Sequence, residues 1–413
     1  MKQLSIWALL SVLAAAAAAP AQQQPTVDEL TTTIQALKMR LRDQGNRLAE
    51  LEDQVARQQV DLVQTARRMA ADAGERSAMP TWLENLKFYA DLRLRYQGEC
   101  DEDATDHRRK NRNRARFRLR FGFVKTLLDK QFEVGFRLAS GDTPGATSTN
   151  QTFDNVFSEK DLWIDLAYAI YRPNWLKDLT IIGGKMKNPL VHTDVIWDSD
   201  VNPEGFVAAF KHAFGPFEPF ANIGYFIIEE RRGVALNAHD TDLWTYQLGF
   251  NWQIADGVKH TCAVTYYDYD HMELVLAGES YEVINLTNKL GFAVGGLPIS
   301  VYSDILYNCD SDKTPDGSQE QACAFGVKAG KNKKKGDWSV GYKWAYIEAF
   351  STPRVLNDSD FRGSNTKGHV IGGKYNLTDF LVVGAKVFFT EDIWGPTKGV
   401  EDITTQVDLV WKL

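Results

Sequence analysis

Arg112, Arg114, Arg116, Arg118 and Arg120 occupy every second position of one stretch, alternating with Asn113, Ala115, Phe117 and Leu119. In an extended strand successive side chains point to opposite faces, so this spacing stacks five guanidinium groups in one column. A guanidinium stays protonated and offers a fork of donors. The column can therefore attract, orient or bind anionic groups, but it cannot shuttle protons. Arg93, Arg95, Arg137, Lys185 and Lys187 share the polar-face parity in neighbouring stretches and would widen the column into a basic wall. The opposite sign is gathered in one polar segment, 188–203, which carries Asp194, Asp198 and Asp200 and is followed by Glu204. Facing sets of opposite sign would create a field across any water between them. The competing reading is a charge network, with Asp91, Glu133 and Asp165 as partners, that serves stability alone.

Other chemistry has thin support. The seven histidines, His107, His192, His212, His239, His260, His271 and His369, are scattered and lie in no GxSxG or HExxH setting, so the chain is read as a non-enzyme. No cofactor is called for. The four cysteines include no CxxC pair that would suggest zinc. Cys309 and Cys323 flank one polar loop and could close a staple in an oxidising compartment, while Cys100 and Cys262 have no evident partner. Within that loop Asp310, Asp312 and Asp316 resemble a calcium loop. Thr314 and Pro315 stand where DxDxDG needs its third acid and its glycine, which favours a solvated acidic loop.

Positioning a column and a facing loop requires a sheet, and the sequence is rich in strands. Of its 413 residues, 44% are hydrophobic and 24% charged, with 11 Trp, 15 Tyr and 22 Phe, which is too apolar for disorder. The formal charge of −7 gives no cationic field for nucleic acid. Mean hydropathy is −0.33, and beyond the first 20 residues no apolar run approaches the ~18 residues of a membrane-spanning helix. After Pro80 the apolar period is two. Trp244, Tyr246, Leu248, Phe250 and Trp252 alternate with polar or small residues, as do Trp338, Val340, Tyr342, Trp344 and Tyr346, and Val383, Ala385, Val387 and Phe389. Leu162, Ile164, Leu166, Tyr168 and Ile170 read as a fourth apolar face. About sixteen such segments are joined by alternately short and long connections, with tight turns at 128–129, 255–256 and 295–296. That alternation is the mark of an antiparallel transmembrane β-barrel in an outer membrane, apolar outside and polar within. A charge facing lipid at mid-membrane costs ~2–4 kcal/mol, which directs the arginine column inward.

The N-terminal part reads differently. Lys2, an apolar run over 4–19 and the small residues Ala19 and Ala21 suggest an export signal over 1–21. Over 22–70 a heptad seam of Val27, Ile34, Leu41, Leu48, Val55 and Leu62, with Leu30, Leu37 and Leu51, predicts a periplasmic coiled coil and a homotrimer. A single amphipathic helix is the alternative. A linker over 71–80 leads to the barrel, 81–413.

Three segments carry a family resemblance: Asp161-Leu162-Trp163-Ile164-Asp165-Leu166-Ala167-Tyr168, then Gly184-Lys185-Met186-Lys187-Asn188-Pro189, then Trp197-Asp198-Ser199-Asp200-Val201-Asn202-Pro203-Glu204-Gly205. In order and spacing they resemble the bacterial putative porin family, outer-membrane barrels preceded by a signal peptide and a coiled coil. The resemblance implies that segment 188–203 folds inward as a constriction, although a plain external loop with Trp197 on the rim is also open. The expected function is passive diffusion of small hydrophilic solutes and ions. An anion- or phosphate-selective pore is the alternative, as is an envelope anchor whose coiled coil binds the cell wall. The partners expected are outer-membrane lipid, further copies of the chain, small hydrophilic solutes or ions, and peptidoglycan through the coiled coil; nucleic acid is not among them.

Overall fold

A computed structural model describes residues 27–72, 83–103, 109–142, 145–231, 239–276, 278–310 and 319–413. The chain divides into two compact units, Met1–Glu84 and Asn85–Leu413. The expected export signal and most of the expected linker lie outside the described residues.

In the first unit the heptad region forms one helix, α1 (Val27–Asp72), of 46 residues. Arg47 with Asp43 and Arg57 with Asp53 are ion pairs one turn apart, at 3.7 and 2.6 Å. Ile34, Leu37, Leu41, Leu48, Leu51, Val55 and Leu62 all stand exposed on this single helix. The apolar seam that the heptads predicted is therefore unsatisfied within one chain.

The second unit is built from strands. In chain order these are β1 (Leu86–Glu102), β2 (Arg109–Leu127), β3 (Phe132–Ser140), the two-residue β4 (Gln151–Thr152), β5 (Leu162–Tyr171), β6 (Leu179–Lys185) and β7 (Glu204–Lys211). β8 (Phe217–Glu229), β9 (Thr241–Ala255), β10 (Val258–Asp270), β11 (Tyr281–Val294) and β12 (Leu297–Asn308) follow. β13 (Gln321–Gly330), β14 (Trp338–Ile347), β15 (Thr366–Asn376), β16 (Leu381–Asp392) and β17 (Glu401–Lys412) complete the unit. Apart from β4, they form a closed barrel of 16 antiparallel strands. Closure comes from β1 on β17, in register from Asp91↔Lys412 to Asp101↔Asp402. With the first and last strands paired, the sheet has no edge strand, which is what a strand protein needs in lipid.

The turns at one rim are as tight as the sequence suggested. Gly295 and Gly296, at φ 57° and 81°, make the two-residue link between β11 and β12, the positive-φ turn that matches strand twist. Trp244, Leu248, Trp252, Trp338 and Phe389 are exposed on the outer face, whereas Thr245, Gln247, Thr265, Asn285, Thr287 and Asp304 on the inner face are fully covered. Burial of those polar groups requires cover from inside the barrel, and loops supply it.

One predicted face is wrong. Arg137 pairs with Leu166 but the next residue of β3, Leu138, pairs with Ile164, so Asp165 is the extra residue of a β-bulge. The bulge inverts the parity of the rest of β5. Leu162 and Ile164 face outward and are exposed, while Leu166 is buried and Tyr168 turns inward to donate its hydroxyl to Glu133.

Candidate functional site

The column forms as its spacing predicts. Arg112 to Arg120 run down the inner face of β2, and Arg93 and Arg95 stand beside them on β1 through the pairs Arg93↔Arg118 and Arg95↔Arg116. Such close like charges require counter-charge, and the structure supplies it group by group. Asp91 takes both Arg118 (2.7 Å) and Arg120 (2.8 Å). Arg95 is held in a fork by Asp408, at 2.7 and 2.9 Å, and lies 3.3 Å from Asp360. Arg114 is paired with Glu99, which also lies 4.0 Å from Arg112. Arg116 reaches Gln97 at 3.2 Å and Asp142 at 3.4 Å, and Arg93 donates to Asn150. Arg137 donates to the bulged Asp165 at 2.5 Å. Of the three expected counter-charges, Asp91 and Asp165 are used. Glu133 instead takes Arg172, at 3.2 Å.

Lys185 and Glu204 do not belong to this wall. They are register partners on β6 and β7, bonded to each other at 2.8 Å. Glu204 lies on the outward row with Phe206, which is 64% exposed. Lys185 continues the outward row of Ile181 and Gly183, opposite Ala208, Phe206 and Glu204, so the inward parity read from the sequence does not hold on β6. Lys187 lies beyond the strand, in the loop.

That loop, 186–203, enters the barrel and crosses it. Val191 exchanges two hydrogen bonds with the Gln247 side chain on β9, at 3.0 and 2.9 Å, and the His192 carbonyl accepts from Lys289 on β11 at 2.9 Å. Thr193 donates to Asp304 on β12, and Asp194 meets Lys343 on β14 at 2.7 Å. The covered inner-face polar groups are thus the seat of this loop. Trp197 is 2% exposed; its indole donates to the Tyr269 hydroxyl at 3.1 Å and its ring packs on Phe226 and Tyr267. The rim position considered for Trp197 is excluded by that burial.

A second loop, 348–365 between β14 and β15, clasps the first. Asn357 donates to the carbonyls of Val195 and Ile196 at 3.0 and 3.1 Å, and the Asp198 amide donates to Leu356 at 2.7 Å. Asp358 and Asp360 are thereby added to Asp198 and Asp200. Asp200 lies 3.9 Å from Arg120, and Asp358 lies 3.7 Å from Lys343. Burial, reinforced by Asp358, pushes the Asp198 carboxyl up to about 8. Asp358 is raised too, chiefly by burial.

Three spaces follow one another through the interior. The one toward the long loops, about 310 Å³, is lined by Gln97, Arg112, Arg114, Arg116 and Arg362. The middle one is smaller, about 160 Å³, and is lined by Arg93, Arg95 and Arg118 of β1 and β2 and by Asp198, Asp200 and Asp360 of the two inward loops. The third, about 280 Å³, lies toward the tight turns and carries Lys328, Lys374 and Lys386. Neighbouring spaces share lining residues: Ser148 and Asp360 between the first two, Asp194, Asp358 and Lys386 between the last two. Sequence reasoning missed Lys328, Lys374, Lys386, Asp358 and Asp360. Parity alone would have placed the three lysines inward.

The expected staple is absent. All four cysteines are free, and the β12–β13 register, carried on by Asn308 donating to Glu320, sets Cys309 four positions along the ladder from Cys323. At roughly 3.3 Å per residue that offset is beyond the reach of a disulfide. Asp312 and Asp316 of the suggested calcium loop lie outside the described residues. Among the described residues no group of three or more acidic, His or Cys side chains is arranged to hold a metal.

The sequence pattern of the family described as Putative porin matches residues 100–292 and 301–413. The chain belongs to that porin family. A solved porin shares its fold, and others are similar to it more loosely. OprB of Pseudomonas putida, in its high-pH structure, aligns with 80% of this chain and 94% of its own at 11% identity, with a TM-score of 0.52. OmpF of Salmonella typhi, in complex with daunomycin, aligns over 79% and 97% at 10% identity and a TM-score of 0.49. A mutant porin of Rh. blastica aligns over 79% and 100% at 10% identity and a TM-score of 0.45. Among curated proteins, none matches the sequence. Family and barrel together make this chain an outer-membrane porin, of a fold that belongs to channel proteins.

Proposed function

We propose that the chain is a passive diffusion pore for small hydrophilic solutes and ions, filtered where the inward loops approach the arginine column. One observation carries this reading. Among the described residues an interior space of about 160 Å³ is lined by Arg93, Arg95 and Arg118 of the strands and by Asp198, Asp200 and Asp360 of the two inward loops, and it shares lining residues with a space of about 310 Å³ and another of about 280 Å³. A solute passing there would cross a transverse field in low-dielectric surroundings, which orients dipolar solutes and slows apolar ones. Site residues of this filter are Arg93, Arg95 and Arg118 with the carboxylates of Asp200 and Asp360, while Asp198, raised to about 8, stands among them uncharged at neutral pH. The exposed heptad seam of α1 supports the further proposal of a homotrimer held by a periplasmic coiled coil.

The test is planar-bilayer recording of the refolded protein under a salt gradient. Stepwise, long-lived conductance is expected. Absence of steps from properly folded protein would overturn the pore and leave the envelope anchor as the better account.

A further inference from the structure

The arginine column is matched by carboxylates, but the lysines of the inner chamber are not. Among the described residues no carboxylate lies within 4.0 Å of Lys328, Lys374 or Lys386, although all three are exposed to the interior space. Every acid lining that chamber is already committed: Asp194 and Asp358 to Lys343, and Asp408 to the fork with Arg95.

The backbone is shaped to bring the lysines together. Across four adjacent strands one row of the ladder reads Lys328, Gly341, Gly372, Lys386, by the register pairs Lys328↔Gly341, Gly341↔Gly372 and Gly372↔Lys386. Two glycines thus form a bare floor between two lysines. The third lysine, Lys374, lies one inward position nearer the turns, opposite Gly384. The lysine stems lean over these glycines: a methyl group at Gly372 would meet the Lys386 side chain at 2.9 Å, and one at Gly384 would meet that of Lys374 at 3.4 Å. Lys386 has its ammonium over the Phe388 ring, 5.1 Å from the centroid, an arrangement that holds a cation without neutralising it. Three ammonium groups with no carboxylate in ion-pair contact, around about 280 Å³ of interior space, make a site for an anion with several oxygens, because Lys binds such groups as a point charge with three donors.

From this, and resting on the porin reading above, we infer that the inner chamber is a binding site for small multivalent oxyanions, formed by Lys328, Lys374 and Lys386 on the β13–β16 wall. An anion that has crossed the filter would pause there before leaving past the tight turns. Net anion preference then comes from these lysines, and the arginine column, closed by its own carboxylates, contributes a dipolar field.

Inorganic phosphate is the probe. Calorimetric titration of the detergent-solubilised full chain should give saturable binding, weakened about tenfold in the double variant Lys374→Gln/Lys386→Gln and retained in Lys374→Arg. Heats that do not saturate in the wild type, or binding that the double variant leaves intact, would overturn the site. Should the double variant fail to assemble, Lys374→Gln alone is expected to weaken binding by about threefold, and an unchanged affinity would overturn the proposal equally. In the bilayer, phosphate should block chloride current at a concentration that rises in parallel. Saturable binding without any conductance steps would leave the site standing and sink the pore; steps with no phosphate binding would do the reverse.

Discussion

The ammonium of Lys343 lies 2.7 Å from the Asp194 carboxylate and 3.7 Å from that of Asp358, so one buried cation on β14 ties both inward loops to the barrel wall. Removing one member of a buried ion set strands the others in a poor solvent, which costs far more than the set itself stabilises.

Lys343→Met is therefore expected to lower the stability of the folded barrel by about 3 kcal/mol and to loosen the loops. Heat-induced unfolding in detergent should show a lower midpoint, and single-channel records should show larger, noisier steps. A variant with wild-type midpoint and quiet steps would remove Lys343 as the anchor.

Asp198 sets a pH dependence whose sign is definite. Its carboxyl is raised to about 8 in the fold, from an ordinary value of 3.8, so the folded chain holds a proton there that the unfolded chain releases. That contribution is fully present below the ordinary value and is lost as pH rises through the folded value, with a slope of at most about 1.4 kcal/mol per pH unit. The clasp between loops 186–203 and 348–365 should weaken as pH rises from about 4 to about 8, the span between the unfolded and folded values, by at most about that extent per unit, and should change no further above it. Asp198→Asn should flatten this dependence. Unfolding midpoints measured across the range provide the check.

Asp91 neutralises Arg118 and Arg120 together, at 2.7 and 2.8 Å. Asp91→Asn would uncover two guanidinium groups beside the filter. The reversal potential under a salt gradient should move toward chloride, by about a twofold change in permeability ratio. No movement would mean that solutes do not sense this part of the wall.

For α1, a peptide of residues 27–72 should sediment as a trimer, and Leu41→Asn/Leu48→Asn should return it to a monomer. Helix signal and mass are expected to fall together, since a helix with Gly45 inside and its seam exposed has little to hold it alone.

Much of the barrel was legible because burial between lipid and water imposes a period of two on every strand. The arginine column, the tight turns and even the seam strands can be read that way. What parity cannot see is a local change of phase. The bulge at Asp165 inverts a face and so misplaced Tyr168, while Lys185 and Glu204 are charges at strand ends on the outward row, where the rule that charge turns inward no longer holds. The start of strand β11 at Tyr281 is likewise hard to read, because Asn285 and Thr287 are polar in the row that, with Tyr281 and Val283, faces the covered interior. Which charge meets which is a matter of tertiary distance: loop 348–365 bears no family of spacing that would reveal its grip on Asp198. The three lysines were hidden for a simpler reason, each being the sole cation on the inward row of its strand's inner half.

The ladder that closes the barrel joins Arg95 to Asp408, 313 positions away along the chain, through a bidentate pair between register partners. A slip of one residue would set Arg95 opposite Val407 or Leu409 and turn Asp408 toward lipid. The seam is thereby checked by charge: an alignment one residue off leaves a cation without its carboxylate and a carboxylate in the lipid-facing row, and until the right match is made the two terminal strands keep their edges open.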